Sequence, residues 1–147
     1  MPKRIPFEEF KKIYSRVPRL TVEVIVKTPK GIVLIKRGIQ PYKNQWHIPG
    51  GTVYKKERLE DAVRRVAKSE MGIVVKPIKF LGYIDYIETE GKKGGFGRAV
   101  GLVFLVKKIS GDFMGSSEGE EWRIFSKLPK NTIGVQKEFL KRNGFKT

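Results

Sequence analysis

The sequence predicts one α/β domain over residues 1–147, a mixed sheet layered between helices. Three observations lead there. Two β-branched runs, residues 20–26 and 32–37, flank Pro29-Lys30-Gly31 and read as a hairpin. Residues 57–71 carry apolar side chains at helical spacing between the pair Gly50-Gly51 and Gly72. Further runs of strand formers follow at 78–87 and 99–106, and no repeat or linker divides the chain.

In order, residues 6–14 read as a short helix with Pro6 in its first turn and apolar residues at 7, 10, 13 and 14; Pro18 ends it. After the hairpin, residues 38–45 form a loop, and Trp46-His47-Ile48-Pro49 leads into a glycine turn. Residues 88–97, polar and glycine-rich between the two later strands, are a candidate mobile substrate loop. Residues 115–121 are an acidic loop in a basic protein, residues 122–125 a last short strand, and residues 135–142 a helix closed by Asn143-Gly144.

Composition narrows the class. There are no cysteines, so disulfides and thiolate metal sites are excluded. No apolar run approaches the roughly 18 residues of a membrane span, and the start lacks a secretory signal, so a soluble cytoplasmic protein is expected. Lys plus Arg number 31 against 15 Asp plus Glu, a net charge of +16 that favours nucleotides, polyphosphates or nucleic acid. A lysine-rich surface with no special partner explains the same charge.

The central helix holds the chemical signal. At about 100° per residue, Leu59, Ala62, Val63, Val66 and Ala67 form one stripe, and Glu70 falls in its middle. A carboxylate on an apolar face needs something positive to meet it. Either a cation sits between the glycine turn and the helix, or Glu70 lies in solvent on a frayed last turn.

The spacing resembles the Nudix box, G-x5-E-x7-R-E-U-x-E-E-x-G-U with U aliphatic. Gly51, Glu57, Arg65, Ala67, Glu70, Gly72 and Ile73 match in register, while Val66 and Ser69 replace two glutamates. The resemblance implies the Nudix α/β/α sandwich with its central mixed sheet. Within that superfamily the chain is similar to GDP-mannose mannosyl hydrolases. The early helix before Pro18, the run Leu34-Ile35-Lys36-Arg37, the run from Gln45 to Gly51 and the absence of those two glutamates carry this likeness.

The resemblance implies one divalent cation, Mg²⁺ with Mn²⁺ as a substitute, held by the Gly50 carbonyl, Glu70 and Glu118. The family has glutamine at the last place. It implies arginines near the diphosphate at Arg37 and Arg65, with Thr52 replacing a third. The family's histidine base falls at Gly119, and His47 stands where the family has an aromatic residue.

Chemistry supports a similar site. A diphosphate repels an attacking water, a cation at Glu70 would offset that charge, and arginines pair bidentately with phosphate oxygens. A base is also required, and Glu118, Glu120 and Glu121 are the candidates. Each residue has a plainer alternative. Arg65 bridges Glu57 or Glu60, Arg37 is a strand-end charge, residues 118–121 are a solvated loop, His47 is packed, and Trp46 and Tyr42 anchor core or loop instead of stacking on a base.

Three functions stay open: a Mg²⁺-dependent hydrolase of a nucleoside diphosphate sugar or related compound, acting as monomer or homodimer; a nucleotide-binding sensor without useful catalysis; and an RNA-binding module supported by charge alone. Turnover separates the first two, and the salt slope of nucleic-acid binding tests the third.

Overall fold

The computed structural model describes residues 4–40, 42–87, 97–115 and 120–147. Ten elements follow in order: α1 Phe7–Tyr14, β1 Arg19–Thr28, β2 Gly31–Lys36, β3 Trp46–His47, β4 Gly50–Thr52, α2 Leu59–Met71, β5 Val74–Asp85, β6 Ala99–Ser110, β7 Trp122–Phe125 and α3 Gly134–Arg142. The strands form a sheet in the order β3-β2-β1-β6-β5, with β4 pairing β1 and β7 pairing β2.

Strand β1 is the axis. It runs parallel to β6 from Arg19↔Ala99 to Val26↔Val106. On its other edge it pairs antiparallel with β4 at 21–23 and with β2 at its far end, where Thr28 meets Gly31. The predicted hairpin and the mixed sheet are therefore both present.

Strand periodicity sorts the side chains of β1 between two cores. Val22, Val24 and Val26 pack with Ala62, Val63, Val66, Ala67 and Met71 of α2. Ile25 faces the opposite way, toward Trp46, Ile84 and the α3 residues Phe139 and Leu140. Thr21 and Glu23 share the Ile25 side by the same alternation, although both are polar and buried.

Several boundaries differ from expectation. Gly50-Gly51 lies in β4, not in a free turn: β4 borrows its geometry from β1, a partner distant in sequence. Helix α2 starts at Leu59 instead of residue 57, because Glu57 is used in the preceding loop, and Leu59 is exposed, outside the core. Strand β5 begins before Pro77, a residue tolerated because β5 is an edge strand with a register shift at that point. The candidate substrate loop lies outside the described residues except for Gly97.

Candidate functional site

Two cavities, about 520 and 690 Å³, share Gly50, Gly51 and Glu70 in their walls, together with Arg4, Phe7 and Arg19. Gly50 lets the backbone come close here, since a Cβ would lie 2.9 Å from the Val22 carbonyl oxygen. Glu70 is half-buried on the penultimate residue of α2. The helix stops at Gly72, which takes the left-handed conformation (φ 72°) and donates its amide to Lys68 O. Carbonyl and carboxylate oxygens suit a hard cation, so Gly50 and Glu70 fit Mg²⁺ by donor type. Glu118, the third expected ligand, lies outside the described residues, and among the described residues no three acidic or imidazole groups cluster.

Arg65 holds the box loop. Its Nε donates to Glu57 Oε2 (2.7 Å), and its Nη2 donates to Glu57 Oε1 (3.0 Å) and Thr52 O (2.7 Å). The guanidinium also lies 3.8 Å from the Tyr54 ring centroid. Glu57 is 3 % exposed and accepts the Tyr54 amide as well. Burial alone would raise the Glu57 carboxyl, but Arg65 and that amide outweigh it and hold the group below its ordinary value. The bridge from Arg65 runs to Glu57 and not to Glu60, which sits beside Arg64 on the surface.

Arg37 lines the larger cavity, its loop fixed by the Arg37 amide on Gln45 O and the Asn44 amide on Arg37 O. Arg19 was not anticipated. It donates from Nη1 to Thr52 Oγ1 (3.0 Å), which brings a guanidinium beside the residue that stands where the GDP-mannose mannosyl hydrolases have an arginine. Burial, the largest effect, lowers its pKa. The only signal in sequence was period two along β1, which puts Arg19, Thr21 and Glu23 on one face.

The acidic loop divides. Glu121 is exposed and its Oε1 accepts from Arg123 Nε (3.0 Å), so it faces away into a surface ion pair. Glu120 instead approaches His47, with Oε2 3.8 Å from Nε2 and both side chains 13 % exposed. His47 lines the larger cavity, and its Nδ1–H donates to the Ile48 carbonyl (2.8 Å). Trp46 is buried edge-on to Phe125, a core role, whereas Tyr42 lines the cavity.

A buried polar chain also escaped the sequence. Glu23, 5 % exposed, accepts from the Tyr86 hydroxyl; Tyr86 accepts from Gln136 Nε2 (2.8 Å); and Gln136 Oε1 accepts the Ile48 amide (2.7 Å). Burial pushes the Glu23 carboxyl up to about 7, against the opposing hydrogen bond from Tyr86 and the charge of Arg19.

Comparison with known proteins accords with this arrangement. A family model described as NUDIX domain matches residues 17–142. The low-salt glycan biosynthesis protein Agl8 of Haloferax volcanii is 37 % identical over 92 residues, 60 % of this chain and 59 % of that protein. The ADP-ribose pyrophosphatase of Methanocaldococcus jannaschii is 30 % identical over 122 residues, 82 % of this chain and 70 % of that protein. The crystal structure of a MutT NUDIX hydrolase from Burkholderia pseudomallei superposes with a TM-score of 0.72 at 27 % identity, over 85 % of this chain and 97 % of that one. With the box residues, the sheet and the family match in agreement, the chain belongs to the Nudix hydrolase family.

Proposed function

We propose that the protein is a Mg²⁺-dependent hydrolase of a nucleoside diphosphate joined to a second group, a sugar of the GDP-mannose kind. The observation that carries this reading is the pair of cavities meeting at Gly50, Gly51 and Glu70. A site with room on both sides of its metal ligands suits a substrate with two organic halves and a diphosphate between them. The similarity to a glycan biosynthesis protein and to an ADP-ribose pyrophosphatase supports the same class.

In this reading Gly50, Glu70 and Glu118 hold the cation, which supplies charge neutralisation at the diphosphate. Arg37 and Arg19 meet phosphate oxygens, while Arg65, already bound to Glu57, chiefly sets the loop that carries the site. The general base comes from Glu118, Glu120 or Glu121; Glu120 is favoured over Glu121 because it lies 3.8 Å from His47, which lines the larger cavity.

The second reading, a binding protein with little catalysis, has one observation in its favour. Val66 is buried against Gly51 and Ser69 Oγ turns back to Val66 O, so neither replaces the missing box carboxylates. A panel of nucleoside diphosphate sugars and ADP-ribose, assayed with Mg²⁺ and with Mn²⁺ and with products resolved, tests the proposal. Metal-dependent release of a sugar or a nucleotide supports it; saturable binding of the panel without turnover supports the second reading.

A further inference from the structure

Strand β5 ends the sheet, and among the described residues no strand pairs with its outer edge. It is 12 residues long and lines neither cavity. An edge of that length presents a row of backbone N–H and C=O groups that another extended chain can complete.

The register with β6 fixes what each face of the edge offers, because directly opposed residues share a face. Phe80 lies opposite Phe104, a member of the core under α2, and Tyr83 lies opposite Leu102, which packs on the same core. Both aromatics therefore stand on the α2 side, where they remain 52 % and 65 % exposed. Lys79 lies opposite Leu105, which packs on the core beside α3. Lys76 lies opposite Lys107, which alternates with Val106 of the α2 core. Lys76 and Lys79 are thus exposed on the α3 side. Among the described residues no acidic group pairs with either. Asp85, the acid of the strand, is held by Arg98 Nη2 at 2.6 Å.

These two faces select the occupant. Lysines, a proline and bulges commonly guard an edge against self-association, and β5 has all three. A second copy added about a two-fold axis would keep the lysine faces together, so like charges would meet. That guard acts against a copy of this chain and does not require exposed aromatics on the opposite face. Nucleic acid fits poorly, because phosphates on the lysine face would leave the bases away from Phe80 and Tyr83. An extended peptide alternates its side chains between both faces and can satisfy the two at once.

We propose that the outer edge of β5 docks an extended segment of a partner protein in which acidic and apolar residues alternate. The acids of that segment face Lys76 and Lys79, its apolar side chains face Phe80 and Tyr83, and its backbone continues the sheet.

The test follows the amide signals of the full isotope-labelled chain with three probes. These are a peptide of about eight residues alternating glutamate with valine, its counterpart with lysine for glutamate, and oligouridylate. The glutamate peptide should shift residues 74–85, slow amide exchange there and saturate below about 1 mM. Lys76→Glu combined with Lys79→Glu should weaken it by about tenfold or more, since two cross-strand attractions become repulsions. Tyr83→Ala should weaken it by about 2- to 5-fold. All three side chains are exposed, so the variants should melt with the parent chain. No saturable shift would overturn the proposal, as would shifts centred on Arg19 and Arg37, or equal affinity for the parent and charge-reversed chains. So would matching shifts at 74–85 from oligouridylate, the mark of a general polyanion surface, or from the lysine peptide, the mark of an edge without charge preference.

Discussion

Glu23 makes the stability of the fold depend on pH. Its folded pKa of about 7 stands above the ordinary 4.5, so between those values the folded chain holds a proton that the unfolded chain has released. Stability therefore falls as pH rises through this window, by about 3 kcal/mol at most. Below 4.5 both states are protonated and the penalty vanishes. In EDTA, Glu23→Gln should melt above the parent protein at pH 8 and lose that advantage at pH 4. An advantage that does not change with pH would show that desolvation of the carboxylate is not its source. The acidic-loop residues call for a different comparison. Glu120→Gln should lower kcat by about 10²- to 10⁴-fold if it is the base. Excess Mn²⁺ should not restore it, whereas a ligand variant such as Glu118→Gln should recover in part. Full activity in Glu118→Gln, Glu120→Gln and Glu121→Gln, with loss in His47→Ala, would move the base to His47.

At the scale of elements, the loop before α2 depends on one ion pair. Arg65→Met leaves the nearly buried Glu57 carboxylate with the Tyr54 amide alone, and should cost about 2–3 kcal/mol in thermal unfolding. Pairing it with Glu57→Gln should recover part of that loss in a double-mutant cycle; strict additivity would mean the pair contributes nothing jointly. Gly72→Ala should cost about 1–2 kcal/mol, because its φ of 72° is unfavourable for a side chain and a Cβ would crowd Met114 at 3.3 Å. These features were legible in sequence because they are local. The helix pattern, its glycine stop and the spacing from Glu57 to Arg65 lie within one short segment. What was missed is non-local. Nothing near Gly50 announces that its edge is covered by β1, and nothing near Arg19 announces Thr52. Glu23 did leave a trace, a lone carboxylate in the apolar alternation from Val22 to Val26. Its partners Tyr86 and Gln136 are far along the chain, so the trace alone named no site.

For the whole molecule, the net charge of +16 is shared between a lined cavity and a broad surface. Arg4, Lys11, Arg19 and Arg37 all line the larger cavity, which gives small anions a specific destination. Single-stranded RNA binding should then be weak and fall steeply with salt, with no dependence on Glu70. Tight RNA binding that survives 0.2 M salt would favour the nucleic-acid alternative. No described helix is long and apolar enough to cross a membrane. The central claim is that Gly50 and Glu70 form the metal-dependent centre of a hydrolase, with its two cavities taking the two halves of the substrate. Its most direct test is kcat/KM of the parent protein and of Glu70→Gln on the best substrate of the panel, at saturating Mg²⁺ with melting curves alongside. Loss of metal-dependent turnover by about 10²-fold or more, at unchanged melting temperature, is the predicted result. Equal turnover in the two proteins would contradict it and place the chemistry elsewhere.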